Sequence, residues 1–320
     1  MKALEAPRIE EIRAARDRIA SSIVRTPLVR LQTDDPRQEI YLKLENLQPV
    51  GSFKIRGSAN AMRLVPRKAL DRGVYTASAG NMAQGVAWNA RHMGIPATAV
   101  VPDHAPRTKL DAIERLGARV VKVPFDEWWN VMVEHRYAGL DGLFVHPVSD
   151  PGVIAGNGTI GLEILEDLPD VDVILVPYGG GGLSSGIAAA ARALKPSVRV
   201  LACEVATAAP LAPSLAAGSP RAIEYKPSFV DGIGSKGLLP EMWPIVQELI
   251  AGSIVVELEQ VAAAIRLLAT RNRIVAEGAG AAPVAAALTG RAGPGKVVCV
   301  ISGGNIDAEK LTKILGGGVP

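Results

Sequence analysis

One lysine in the sequence stands between apolar neighbours, where a lysine can act as a nucleophile. Lys54 lies in the segment 51–57, GSFKIRG, at the start of a helix-like stretch. Apolar surroundings lower the pKa of an amine by desolvation, and the neutral amine can then attack a carbonyl carbon. A lysine at a helix start is more often a solvated side chain, so this motif alone leaves both interpretations open.

Four consecutive glycines, residues 179–182, follow the apolar run VILVPY and precede the helix-like GIAAAARAL. Such a turn lets backbone N–H groups converge at the N-terminus of a helix, where the helix dipole also favours a phosphate. The turn lacks the Lys-Ser/Thr pair of a Walker loop and the spacing of the dinucleotide fingerprint. It therefore predicts a phosphate site of another kind, with a tight strand-to-helix connection as the structural alternative.

Two further polar turns also come directly after strand-like runs. In SAGNMAQG, residues 78–85, backbone N–H groups could receive a carboxylate, and the amide of Asn81 could bond a phenolic oxygen. A plain helix N-cap explains the same residues. In SGGN, residues 302–305, the hydroxyl of Ser302 could meet a heterocyclic nitrogen, although a strand-ending turn explains it equally well.

The elements that must position these turns alternate along the chain. An amphipathic helix is expected to open the chain and to end before Pro27. Nine short β-rich runs follow, separated by helix-length segments, at 40–44, 74–77, 97–101, 119–123, 143–145, 172–178, 198–204, 253–257 and 296–301. This alternation predicts βαβ units and parallel sheet, with ligands at the carboxyl ends of strands. Residues 74–146 are predicted to form a small inserted domain, and residues 1–73 and 147–320 a large one.

The composition argues against several protein classes. The net charge is +3 and basic residues alternate with acidic ones, so a nucleic-acid-binding surface is missing. Cys203 and Cys299, the only cysteines, lie in apolar runs and are predicted to be buried, inert thiols. No stretch reaches the roughly 18 apolar residues of a membrane span, and the N-terminus has no apolar core of a signal peptide. A cytoplasmic enzyme without membrane or nucleic-acid partners is expected.

Taken together and in order, the motifs resemble the fold type II (tryptophan synthase β-like) pyridoxal-phosphate enzymes, and among them the threonine/serine dehydratase and serine racemase family. The resemblance covers nearly the whole chain. It runs through RTPL (25–28), LKLENLQPVGSFKIRG (42–57), SAGNMAQG (78–85), AGNGTIG (155–161), GGGGL (179–183), DGIG (231–234), EGAGA (277–281) and SGGN (302–305). It implies an α/β fold of two open, mostly parallel twisted sheets with flanking helices, and a cofactor in the cleft between domains.

The resemblance also implies a role for each motif. Lys54 would carry the cofactor as a Schiff base and then act as the general base at the substrate Cα. The residues implied to hold pyridoxal 5'-phosphate are Phe53, Lys54, Asn81, Gly179, Gly180, Gly181, Gly182, Leu183, Glu277 and Ser302. Within this set, the glycines and Leu183 would cradle the phosphate, and Asn81 would bond the phenolic oxygen. Phe53 would pack on the ring, Glu277 would line its edge and Ser302 would face its nitrogen.

The substrate carboxylate would be received by Ser78, Ala79 and Gly80. Racemases of the family have a second serine where this chain has Ala79, so racemisation would lack its second proton relay. Met82 replaces the usual histidine of the loop, which suggests contact with a larger β-substituent. Racemase-like members hold a divalent cation with a Glu and an Asp; here Glu204 is retained but Pro210 stands at the second position, and no metal site is expected.

The implied function is β-elimination, in which a 3-hydroxy amino acid such as L-threonine or L-serine yields a 2-oxo acid and ammonia. Three alternatives remain from the sequence: a dehydratase of a bulkier substrate such as phenylserine or a hydroxy-diamino acid, a β-replacement enzyme of the cysteine-synthase kind, and a non-catalytic homologue. Retention of Lys54 argues against the last. A homodimer or homotetramer is expected. The four histidines are interpreted as surface or loop residues, and Asp231 as a weak candidate near the site.

Overall fold

The computed structural model describes residues 3–34 and 39–320, and its strands form two sheets. The strands are β1 Leu28–Arg30, β2 Ile40–Lys43, β3 Val74–Ala77, β4 Ala97–Pro102, β5 Arg119–Val123, β6 Leu143–Phe144, β7 Val173–Pro177, β8 Arg199–Val205, β9 Gly252–Val256 and β10 Val297–Val300. Each of the nine predicted runs overlaps one strand to within a residue or two at its ends, and the short edge strand β1 was not predicted. The runs are rich in valine and isoleucine and mostly buried, as expected of strands covered on both faces.

Helices cover the sheets. They are α1 Ile9–Ile19, α2 Lys54–Leu64, α3 Asn81–Met93, α4 Arg107–Arg115, α5 Phe125–Glu134, α6 Pro151–Asp167, α7 Gly182–Leu194, α8 Leu211–Ala217, α9 Trp243–Leu249, α10 Leu258–Leu267, α11 Gly278–Leu288 and α12 Ala308–Leu315. Short 3-10 helices occupy Glu45–Leu47, Arg67–Leu70 and Pro240–Met242, and a π-helical turn follows α10 at Leu268–Asn272. As predicted, α1 ends before Pro27.

The larger sheet has the strand order β1-β2-β10-β7-β8-β9, and only β1 is antiparallel to its neighbour. The smaller sheet, with the order β5-β4-β3-β6, is parallel throughout. The predicted fold class is thereby confirmed. All strands of the smaller sheet lie within the predicted inserted domain 74–146, whereas the domain boundaries themselves stay a prediction.

Helix α6 forms from the glycine-rich stretch PGVIAGNGTIG and is buried over most of its length. Its glycines allow other backbones to approach closely. A Cβ on Gly156 would lie 2.7 Å from the carbonyl oxygen of Arg56, and one on Gly158 would lie 2.9 Å from that of Gly186. Because α2 and α7 carry the lysine motif and the four-glycine turn, α6 fixes these two elements relative to each other.

The two cysteines are buried and free, as predicted, with the thiols of Cys203 and Cys299 in the core of the larger sheet. Burial raises the pKa of both thiols, which disfavours the reactive thiolate. Among the described residues, no helix is both long and apolar enough to cross a membrane.

Candidate active site

Lys54 is the first residue of α2, and the turn before it contacts the segment that follows β10. Gly51 has φ +70°, a left-handed conformation suited to glycine. Ser52 pairs with Gly303 in an isolated antiparallel bridge. The backbone N–H of Phe53 donates to the carbonyl oxygen of Ser302 at 2.9 Å. The lysine motif and the SGGN turn, about 250 residues apart in sequence, are therefore adjacent in the fold.

The amine of Lys54 lies in a weakly polar environment. Its Nζ donates to the carbonyl oxygen of Pro147 at 2.7 Å and lies 5.1 Å from the centre of the Phe53 ring. Burial lowers the pKa of Lys54 to about 8, and the carboxylate of Glu277 opposes this decrease. A substantial fraction of the amine is therefore neutral near pH 8, as a nucleophile or a general base requires.

A buried ion cluster anchors α2 two residues after the lysine. Arg56 contacts the carboxylates of Glu45 at 2.8 and 2.8 Å and of Glu163 at 2.6 and 2.9 Å. Lys43 contacts Glu163 at 2.6 Å and donates to the carbonyl oxygen of Thr26 at 2.7 Å. Two cations and two anions balance the charge. Although burial alone would lower the pKa of Arg56, the two carboxylates raise it, so the guanidinium stays charged.

The four-glycine turn joins β7 to α7, as its sequence predicted. Gly181 has φ +95°, and a Cβ on Gly180 would lie 2.6 Å from Val148 Cγ1, so both positions require glycine. None of the backbone N–H groups from 179 to 184 donates to another of the described residues. The side-chain oxygen of Ser185 is also buried without a partner there. These free donors at a helix N-terminus fit a phosphate group.

The SAGN turn provides a second helix N-terminus, that of α3. Ser78, Ala79, Gly80 and Asn81 are all partly exposed, and a Cβ on Gly80 would meet no atom within 4 Å. The open space beside Gly80 fits the carboxylate group predicted to bind here. Asn81 reaches across the site, where its Nδ2 donates to Glu277 Oε1 at 2.9 Å and its Oδ1 accepts from Asn305 at 2.8 Å.

Glu277 links the remaining motifs. Its carboxyl group is buried, and a Cβ on Gly303 or on Gly232 would lie 2.6 or 3.4 Å from its Oε1. Burial and the nearby Asp231 raise the pKa of Glu277 to about 7, against the hydrogen bond from Asn81. Asp231, predicted near the site, pairs with Lys109 at 2.9 Å. Glu277 thus links the SAGN, DGIG and SGGN turns, and its charge acts on Lys54.

The neighbouring charges predict how Lys54 responds to pH. At pH 8 Glu277 is ionised, since its pKa is about 7, and its charge favours the protonated lysine. Replacing Glu277 with glutamine should therefore shift the half-maximal reactivity of Lys54 from near pH 8 to lower pH. Competitive acetylation of the apoenzyme, read at the Lys54 peptide by mass spectrometry, measures this shift. Glu248→Gln, in an exposed ion pair with Arg192, is the control; an upward shift or none in Glu277→Gln contradicts the prediction.

The structure changes the interpretation of Met82 and His146 and shows the contacts of Glu204. Met82 is 1% exposed and packs in the core beside the smaller sheet, so it does not line the open site as suggested. His146 lies in the loop between β6 and α6, in keeping with its interpretation as a surface or loop residue, but it is buried there. Both oxygens of Glu204 accept hydrogen bonds, from the N–H groups of Leu211 and Ala212 and from Ser253. Among the described residues, no group of three or more acidic, His or Cys residues could hold a metal ion.

Sequence reasoning missed three contacts of the site. The carbonyl oxygen of Pro147 and the side chain of Val148 touch the lysine and the glycine turn, but an apolar dipeptide gives no chemical signal. Asn305 holds Asn81 and also donates to the carbonyl oxygen of Val50 at 2.9 Å. Asn305 is the last residue of the SGGN motif, and this motif was the signal that could have identified it.

Known proteins match this chain over most of its length. The family model described as "pyridoxal-phosphate dependent enzyme" matches residues 19–303. The L-threonine ammonia-lyase of Geobacter sulfurreducens is 44% identical over 310 residues, covering 95% of this chain and 77% of that protein. Among solved structures, maize serine racemase superposes with a TM-score of 0.88 at 33% identity, covering 98% of each chain. The processed form of threonine deaminase isoform 2 from Solanum lycopersicum superposes with a TM-score of 0.85 at 32% identity, covering 98% of this chain and 96% of that one.

Proposed function

This chain belongs to the pyridoxal-phosphate-dependent enzymes, and we propose that it is a dehydratase that converts L-threonine or L-serine to a 2-oxo acid and ammonia. The net reaction loses water from Cα and Cβ and then regains water as ammonia leaves, so L-threonine gives 2-oxobutanoate. The observation that carries the proposal is a partly buried lysine of lowered pKa, together with the N-terminus of α7, where the N–H groups from 179 to 184 donate to none of the described residues.

The residues present suit this cofactor. Its phosphate would be held by the N–H groups of the turn from Gly179 to Leu183, and its aldehyde by Lys54. Asn81 would bond the phenolic oxygen, and Ser302 would face the ring nitrogen. Phe53 would pack against the ring, with Glu277 at its edge. When bound, pyridoxal phosphate supplies an aldehyde that condenses with amines and a conjugated ring that withdraws electrons from Cα.

The protein's own groups would orient the substrate and move its protons. The N–H groups of the turn formed by Ser78, Ala79 and Gly80 would bind the substrate carboxylate, which places Cα next to Lys54. The neutral amine of Lys54 would take the Cα proton, and its lowered pKa keeps it ready to do so. Ser302 would offer the ring nitrogen a neutral hydroxyl, which would not enforce ring protonation and would so favour departure of the β-hydroxyl over other fates.

Two observations favour elimination from a small substrate over its alternatives. Ala79 has no proton to deliver to the second face of Cα, which disfavours racemisation despite the structural similarity to a serine racemase. The side chain of Met82 is packed in the core, so it gives no support for a bulky β-group.

We also propose the two domains predicted above, assembly as a homodimer or homotetramer, and a cytoplasmic location.

A substrate panel tests the proposal. With pure holoenzyme, L-threonine and L-serine should give 2-oxo acid and ammonia in equal amounts, with kcat/KM at least about tenfold above that for phenylserine. Added sulfide should not divert the product to a thiol amino acid, and D-serine should form from L-serine far more slowly than pyruvate. Predominant D-serine would assign a racemase instead, and a thiol amino acid would assign the β-replacement alternative.

A further inference from the structure

Glu241 carries a buried carboxylate that the site described above does not use. It lies in the 3-10 helix Pro240–Met242, its side chain is 3% exposed, and neither oxygen has a hydrogen-bond partner among the described residues. A buried carboxylate without a partner is strongly unfavourable. The basic group beside it is the imidazole of His135, whose Nε2 lies 3.6 Å from Glu241 Oε1.

His135 is held in an unusual conformation between several groups. It follows α5 with φ +56°, a left-handed conformation that few residues other than glycine adopt. Its ring stacks on His146 with 4.3 Å between ring centres, and its Nε2 lies 3.3 Å from the hydroxyl oxygen of Ser149. The carboxylate of Asp150 is also near enough for an electrostatic interaction with the imidazole. Two carboxylates therefore face this one histidine.

His146, which stacks on His135, forms hydrogen bonds with the backbone on either side of it. Its Nδ1 accepts from the N–H groups of Val148 at 3.1 Å and Ser149 at 2.7 Å, and its Nε2 lies 3.2 Å from the carbonyl oxygen of Met132. This arrangement requires the neutral tautomer with the proton on Nε2. Burial lowers the pKa of His146 to about 3, consistent with a neutral ring.

The segment 147–149 held by His146 touches both parts of the cofactor site. The carbonyl oxygen of Pro147 accepts from Lys54 Nζ. Val148 lies under the glycine turn, because a Cβ on Gly180 or Gly182 would approach its atoms to 2.6 or 2.7 Å. Met242, the residue after Glu241, also reaches the glycine turn, because a Cβ added to Gly181 would lie 3.4 Å from its side chain.

We propose that His135, whose side chain is 30% exposed, and the buried Glu241 form an ion pair that positions the segment 147–149 against Lys54 and the phosphate-binding turn. The imidazole gives the buried carboxylate its partner, and the carboxylate in turn fixes the ring that stacks on His146. Both are positioning residues, since neither touches the groups that would bind cofactor or substrate. The inference rests on the proposed function for its effect on turnover, but its effect on cofactor binding depends only on the family.

The test compares Glu241→Gln, His135→Asn and the double variant by titrating each apoenzyme with pyridoxal phosphate. Asparagine is chosen because it tolerates the left-handed conformation of residue 135. Each single variant should raise the Kd for the cofactor by about tenfold, and the double variant by no more than either single, because all three lose the same interaction. The kcat for amino-acid elimination should fall with little change in KM. Glu248→Gln, whose ion pair with Arg192 is exposed, should leave Kd unchanged.

An unchanged Kd in both single variants would overturn the inference, whether or not their melting temperatures fall. An additive effect in the double variant, of about a hundredfold, would overturn it as well, because the two side chains would then act independently. His135→Asn tests the pair by itself if Glu241→Gln does not fold. A wild-type enzyme that binds the cofactor but forms no 2-oxo acid would overturn the proposed function and leave this binding test intact.

Discussion

The variant Lys54→Ala is expected to lose the elimination activity almost entirely, with kcat/KM reduced by about 10³-fold or more. Alanine removes both the amine that would bind the cofactor and the base that would take the Cα proton. The wild-type protein should be yellow when purified, and borohydride should fix the cofactor covalently to Lys54. Peptide mapping by mass spectrometry after reduction measures the adduct, and 2-oxo acid formation measures the activity.

The exposed Lys68 provides the control, since Lys68→Ala should keep the colour, the adduct and the rate. Alanine is a good helix former, so the Lys54 variant should keep the far-ultraviolet circular dichroism of the wild type. An adduct on another lysine, or substantial turnover by a folded Lys54→Ala protein, would contradict the assignment of this residue.

The elements of the fold were predictable where local pattern determines them. β10 illustrates both the success and its limit. The run KVVCVI predicted a buried strand, and the structure has one at Val297–Val300. Its position between β2 and β7 was not derivable from periodicity, because a local pattern does not specify which distant strand it pairs with. That position brings Ser302 next to Phe53, so only the resemblance to a family could anticipate the contact.

The polar turns were predictable as candidates for a different reason. Each followed a strand-like run, and the carboxyl ends of parallel strands meet at one edge of a sheet. Asn81 and the glycine turn could therefore be named as candidate site residues from the sequence alone. His146 and Glu241 could not, because their importance depends on burial and on neighbours that are distant in sequence. The hydrophobicity of the residues around them does not distinguish a stacked, neutral histidine from an exposed one.

The charges beneath the site were the least predictable part. In IYLKLENL, Lys43 and Glu45 alternate with apolar residues, as solvent-facing side chains of an edge strand would. In the structure both are buried. Lys43 lies in β2, between β1 and β10, and pairs with Glu163 of α6, whereas Glu45 lies in the 3-10 helix after the strand and pairs with Arg56 of α2. Arg56 completes the cluster from α2. These side chains can be buried because they pair with one another, a condition that no single segment of sequence reveals.

This pairing predicts a large loss of stability when Arg56 is replaced by an apolar residue. In Arg56→Met the carboxylates of Glu45 and Glu163 stay buried with Lys43 as the remaining cation, so the free energy of unfolding should fall by about 3–5 kcal/mol. Arg192→Met provides the matched control, because its pair with Glu248 is more than half exposed and should contribute at most about 1 kcal/mol. Urea unfolding of both apoproteins, followed by circular dichroism, measures the difference.

The variant Arg56→Lys separates charge from geometry. Lysine keeps a cation but cannot make the two forked contacts of the guanidinium, so its unfolding free energy should lie between those of the wild type and Arg56→Met. Since α2 begins at Lys54, loosening this anchor should also weaken cofactor binding in the lysine variant. A loss below about 1 kcal/mol in Arg56→Met, no larger than that of the exposed pair, would show that the buried charges are solvated or repacked once the arginine is removed.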